Sequence, residues 1–172
     1  MASAKTGRAH ARVQFPGSGE CSASTGISVL DHLLCLLARH GNLDLSVEVE
    51  PGGALEEAAA CGRALGEALA AAGGPGGIGV GHAPADEALA QVVVEFSGRS
   101  LVVSNVDFGA ARVGGIDTDV VARLFEELAA AGGLTLHIRL IEGEETEHVL
   151  EAIFKALGVA LGEALAWKES HG

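Results

Sequence analysis

The 172-residue chain predicts an α/β fold, an α+β sandwich, assembled from two copies of one β-β-α-β-α unit. Three observations carry this. Short segments of alternating apolar residues, such as 134–141, are followed within a few residues by segments of helical period, such as 147–167. A shift of 92 positions (148 minus 56) lays two strand–helix units on each other without a gap. In that register Ala64-Leu65-Gly66 falls on Ala156-Leu157-Gly158, Ala68-Leu69 on Ala160-Leu161, and Leu36, Ala38 and Gly41 on Leu128, Ala130 and Gly133. Finally, 48% of the residues are hydrophobic but only 3% aromatic, so Val, Leu, Ile and Ala must fill the interior. The two copies are expected over about residues 8–80 and 81–167 of a single domain.

In chain order, residues 9–15 read as a short first strand and Pro16-Gly17-Ser18-Gly19 as a turn. Residues 28–39 are helical, with Val29, Leu33, Leu36 and Leu37 at helical spacing and Gly41 as the expected left-handed stop. Residues 43–49 alternate as a strand, Pro51-Gly52-Gly53 turns, and 55–72 is an Ala-rich helix. Residues 73–81 hold six glycines and one proline. They lack the G-K-[ST] ending of a P-loop, so a flexible link between the halves is expected rather than a phosphate cradle. Residues 88–96 and 101–106 are expected to pair as a hairpin around Ser97-Gly98-Arg99. A helix over 118–130, a strand over 134–141 and a helix over 147–167 complete the second copy.

The net charge of −12 argues against nucleic acid, whose phosphates need clustered Lys and Arg, and against an anionic membrane surface. No run approaches the length of a membrane span, and no signal peptide is visible, so a cytoplasmic location is expected. Cys21, Cys35 and Cys61 lack C-x-x-C spacing and are expected to be free thiols, with Cys35 and Cys61 on buried helix faces.

The chemistry-bearing stretch is residues 134–155. His137 lies on the strand, and His148, Glu151 and Lys155 share one face of the following helix. Imidazole and carboxylate at this spacing form half of a metal site, while Glu151 with Lys155 also reads as a solvated i,i+4 ion pair. In the 92-residue register Glu56 meets His148, Leu55 meets Glu147, Ala59 meets Glu151 and Arg63 meets Lys155. The later copy therefore carries ligand-type residues that the earlier copy mostly lacks.

Several motifs, in order, resemble imidazoleglycerol-phosphate dehydratase, a manganese enzyme of histidine biosynthesis. They are Thr25-Gly26 with Leu30-Asp31-His32-Leu33-Leu34 and Arg39-His40-Gly41, then Pro84-Ala85-Asp86-Glu87-Ala88-Leu89, Ser97-Gly98-Arg99, Leu136-His137-Ile138, and His148-Val149-Leu150-Glu151-Ala152-Ile153-Phe154-Lys155. The resemblance implies the ribosomal-protein-S5-domain-2-like fold and a lyase that dehydrates imidazole glycerol phosphate to imidazole acetol phosphate. It implies a homo-oligomer, a 24-subunit shell or a smaller ring, with Mn2+ or another divalent metal between subunits. By position, His32, His137, His148 and Glu151 would be metal ligands, and Glu151 and Asp31 catalytic. Arg99 and Lys155 would hold the phosphate of a small phosphorylated imidazole substrate, and His40 would face it.

The chain departs from the family pattern where the first-half H-H-x-x-E-D is Leu55-Glu56-Glu57-Ala58-Ala59-Ala60, and where Glu147 stands for the first His of the second motif. Glu56 and Glu147 are candidate substitute ligands, or ordinary acids at helix starts where the helix dipole favours them. Two readings stay open: a dehydratase with an incomplete metal site, and a diverged paralogue that binds a small phosphorylated ligand or serves as an assembly partner. A kinase of the same broad fold is disfavoured, because no nucleotide loop is visible.

Overall fold

The computed structural model of the chain describes residues 2–6, 8–108, 111–113 and 115–171. The first half comprises β1 (Ala2–Thr6), β2 (Ala9–Gln14), β3 (Cys21–Ser24), α1 (Ser28–Gly41), β4 (Asp44–Val49) and α2 (Ala54–Ala72). The second half comprises β5 (Ile78–Ala85), β6 (Ala88–Glu95), β7 (Leu101–Ser104), a ribbon of β8 (Arg112–Val113) and β9 (Ile116–Asp117), α3 (Asp119–Gly132), β10 (Thr135–Glu142) and α4 (Thr146–His171). The sheets have orders β1-β2-β4-β3 and β5-β6-β10-β7, which are the same topology. Each sheet carries its own helices on one face, and the two helix layers meet at the centre as α1 on α4 and α2 on α3.

Burial corrects the repeat register. The buried set Leu30, Leu33, Leu34, Leu37, Ala38 and Gly41 of α1 matches Val121, Leu124, Phe125, Leu128, Ala129 and Gly132 of α3 at a shift of 91 (121 minus 30). Leu45 and Val47 of β4 likewise match Leu136 and Ile138 of β10. Only α2 and α4 keep the shift of 92. A gapless 92 would put His137 on the buried Leu45, although β10 exposes His137. The extra residue sits at the β-bulge between Leu140 and Glu142, since a bulge adds one residue to one strand without disturbing the ladder on either side.

Three further expectations change. Residues 78–81 are strand, not link: Gly79, Gly81, Ala83 and Ala85 form the buried face of β5. A Cβ on Gly79 or Gly81 would run into the carbonyls of Ala160 or Ala156 on α4. Glycine there admits a helix, and the link shrinks to residues 73–77. The hairpin around Ser97-Gly98-Arg99 does not form, because β7 pairs parallel to β10; the real hairpin is β5–β6. The left-handed residue ending α1 is Asn42 (φ 53), not Gly41. Gly41 stays helical because α4 crosses there, its Cβ position lying 2.5 Å from the carbonyl oxygen of Gly158.

Cys21 and Cys35 are joined as a disulfide between β3 and α1, with Cα atoms 5.3 Å apart, rather than free. Cys61 is buried and reduced, and burial first, then the Asp31 carboxylate, pushes its thiol up to about 12. Among the described residues no helix is long and apolar enough to cross a membrane.

Candidate active site

The α1–α4 seam gathers most of the residues singled out above. The first turn of α4 places His148 over the β5–β6 turn. Its Nδ1 lies 2.6 Å from Glu87 Oε1 and its Nε2 lies 3.2 Å from Asp86 Oδ2. Carboxylates only accept, so this pair favours the doubly protonated ring. The hydrogen bond to Glu87, followed by the nearby charges of Asp86, Glu87 and Glu151, raises the His148 pKa against the effect of desolvation. Glu87 is itself anchored. The backbone N–H groups of Glu144 and Glu145 donate to its Oε2 at 2.9 and 3.0 Å. Those two bonds first, then His148, hold its carboxyl down to about 2.

One helical turn further, Glu151 Oε2 lies 3.2 Å from His32 Nε2 of α1. Lys155 Nζ donates to the Pro84 carbonyl at 3.2 Å. Glu151 and Lys155 thus have other partners than each other. His40, in the last turn of α1, has its pKa lowered by partial burial, then by the charges of Lys155 and Arg39. His32, His40, Asp86, Glu87, His148, Glu151 and Lys155 therefore share one region built from α1, the β5–β6 turn and α4.

Three expected site residues lie elsewhere. His137 points to the outer face of the second sheet, lining an open groove of about 700 Å³ with Gln91, Val103, Asn105 and Arg139, while α4 covers the other face. The sheet itself separates His137 from His148 and Glu151. Arg99 stands where β10 begins: Thr135 Oγ1 donates to its carbonyl at 3.1 Å. Pro84, the partner of Lys155, pairs with Leu89, which pairs with Glu142 at the far end of β10. Eight strand residues separate the two cations, roughly 23 Å. One phosphate cannot reach both within a single chain. Asp31 spends its Oδ1 on the Thr25 backbone N–H at 2.9 Å and the Thr25 hydroxyl at 2.5 Å, which fastens the turn that starts α1.

Of the candidate substitutes, Glu147 is exposed on the first turn of α4. Glu56 lies 2.9 Å from Arg8 in a cavity otherwise lined by Leu55, Ala59, Arg63 and Arg123, which offers a cation no second ligand. No cluster of three metal-ligating side chains forms among the described residues. Asp86 and Glu87 received no role from sequence reasoning. The available signal was an acidic pair following Pro84, between two alternating segments, where a turn must project side chains at the next helix start.

The family model for imidazoleglycerol-phosphate dehydratase matches residues 25–161. The imidazoleglycerol-phosphate dehydratase of Heliobacterium modesticaldum is 41% identical over 157 residues, covering 87% of this chain and 80% of that protein. That of Roseiflexus sp. is 41% identical over 167 residues, covering 93% and 84%. The crystal structure of the Staphylococcus aureus enzyme superposes with a TM-score of 0.84 at 32% identity, covering 95% of this chain and 96% of that one. With this match along most of its length and in its doubled sheet topology, the chain belongs to the imidazoleglycerol-phosphate dehydratase family.

Proposed function

We propose that the protein is a hydro-lyase of histidine biosynthesis that dehydrates imidazole glycerol phosphate to imidazole acetol phosphate, and that the α1–α4 seam between the two halves is its working site. The observation that carries this is His148 and Glu151 on one face of α4, with His32 brought to Glu151 from α1. Loss of water from the diol needs a base for the carbon-bound proton, an acid for the departing hydroxyl, and a grip on the phosphate. The product enol then becomes the ketone by moving one proton. Glu151 is the carboxylate placed to take a proton, Lys155 is the cation one turn away, and His40, its pKa lowered by partial burial and then by the charges of Lys155 and Arg39, is a neutral ring near Lys155. Asp31 serves as a positioning residue that sets the start of α1 and so the place of His32.

The donor set of His32, His137, His148 and Glu151 suits Mn2+ or another borderline divalent ion, since all are imidazole or carboxylate. One chain supplies these donors singly and in pairs, with His137 behind the sheet, so we infer that a second copy completes each site and that the protein works as a homo-oligomer. A bound metal would supply Lewis-acid stabilisation of the imidazole ring. The same arrangement lets Arg99 of one copy and Lys155 of another share a phosphate. We further propose a cytoplasmic location and a division into repeats within the 73–77 link, since β5 straddles position 80.

Purified protein incubated with Mn2+ and imidazole glycerol phosphate is expected to release imidazole acetol phosphate, and the gene to rescue a histidine auxotroph. Neither turnover nor rescue, with no metal retained on elemental analysis, would overturn this reading in favour of a paralogue without the reaction.

A further inference from the structure

We propose that the cavity at the α2–α3 seam is an anion site that binds a small phosphate monoester. The pseudo-symmetry identifies it as the counterpart of the α1–α4 site at five positions. Arg8 directly precedes β2 as Glu87 directly precedes β6, after hairpins closed by Thr6↔Ala9 and Ala85↔Ala88. Glu56 answers to His148, Ala59 to Glu151 and Arg63 to Lys155 at a shift of 92. Arg123 of α3 answers to His32 of α1 at a shift of 91. The cavity of about 470 Å³ is lined by Arg8, Leu55, Glu56, Ala59, Arg63 and Arg123: the carboxylate of Glu151 has become apolar, the imidazole of His32 has become cationic, the cation of Lys155 is kept, and the acid Glu87 and the base His148 have exchanged sign.

Guanidinium groups do not ligate metals and stay charged at any physiological pH, so this constellation repels what its twin is built to attract. Three of the chain's 11 basic residues converge here although the chain carries a net charge of −12. They come from the turn before β2, from α2 and from α3, and are pre-positioned by two carboxylates. Arg8 Nη1 lies 2.9 Å from Glu56 Oε2 and Arg8 Nη2 donates to the Pro51 carbonyl. Glu127, with a side chain only 20% exposed, lies 3.6 Å from Arg63 and 3.4 Å from Arg123 and holds both. Three cations against two acids leave one net positive charge. Each guanidinium has five N–H donors, more than these partners use. A phosphate presents three acceptor oxygens to such forks and can displace the exposed Glu56. Leu55, half exposed, and Ala59 give the ligand's carbon body an apolar wall.

The site does not depend on the dehydratase reading, and its test is kept apart from that reading by working in an R99Q/K155Q background, which removes the phosphate contacts proposed for the other site. Calorimetry with inorganic phosphate and glycerol phosphate is expected to show millimolar or tighter binding in this background, falling as salt is added. Adding R63Q and R123Q is expected to weaken that binding about tenfold or more, the usual loss for charged hydrogen bonds, while R63K/R123K recovers part of it. Circular dichroism checks that each variant folds. Should R63Q/R123Q not fold, Arg8→Gln at the exposed turn gives the same readout. Absence of phosphate binding in the R99Q/K155Q protein, or binding that R63Q/R123Q and Arg8→Gln leave unchanged, overturns the proposal.

Discussion

At the start of α4 a histidine is held by a glutamate from the preceding hairpin turn; at the start of α2 a glutamate is held by an arginine from the equivalent turn. The two contacts occupy the same place in the repeat and have opposite polarity. In each half a charged pair joins the turn to the helix start, and either order of charges serves. What differs is the chemistry left over. The second-half order leaves an imidazole and carboxylates facing a shared seam, whereas the first-half order leaves guanidinium groups. A duplicated fold can therefore keep its architecture in both copies while only one copy keeps a given chemistry.

The largest effect should separate the halves by activity. Glu151→Gln or His148→Ala is expected to lower turnover by about 10²–10⁴, the range for loss of a group acting at the reacting centre, whereas Glu56→Gln leaves it near wild type. Steady-state assay with Mn2+ decides it, and equal losses at the two positions would erase the distinction. The second prediction tests what the halves share. Gly158 of α4 faces the Leu37 carbonyl of α1, and Gly66 of α2 faces the Leu128 carbonyl of α3. Gly158→Leu and Gly66→Leu should each cost about 3 kcal/mol or more, because a backbone carbonyl cannot move aside, and lower the melting temperature by roughly 10 °C. Very unequal losses would mean that the seams are not structural copies.

A smaller effect follows acid. Glu87, ordinarily near 4.5 and held at about 2, stabilises the fold fully above its ordinary value. That contribution is lost as pH falls through 4.5 toward 2, because the proton then blocks the bonds from Glu144, Glu145 and His148. Thermal melts of Glu87→Gln and wild type should therefore converge by about pH 2 and diverge above 4.5. The smallest effect concerns the first-half pair. Arg8→Glu should destabilise by no more than about 1 kcal/mol, as for other exposed pairs, and adding Glu56→Arg should restore most of it in a double-mutant cycle.

The helices and most strands were legible because each buries a periodic face: residues 55–72 and 147–167 read as helices and prove to be so nearly end to end. The misreadings share a cause, which is that strand partners and helix crossings are tertiary facts. Gly79 and Gly81 look like link residues, yet they are small because α4 lies on them. The single residue added at the Leu140–Glu142 bulge is invisible among Ala and Gly matches, but it flips the face of every strand residue compared. The H-x-x-E face of α4 could be read from spacing alone. The approach of His32 could not, since it depends on α1 crossing α4, nor could the bond between Cys21 and Cys35, 14 residues apart in different elements.

The helix layers are cross-paired: α2, grown from the first half, rests on α3 of the second, and α4 rests on α1. Each half covers only the sheet-facing side of its own helices, so polypeptides cut within residues 73–77 would be obliged to co-fold, and neither fragment would be stable without its complement. The short tether makes that encounter intramolecular, at an effective concentration on the order of millimolar. The intact protein should therefore unfold in one cooperative transition, its halves lost together.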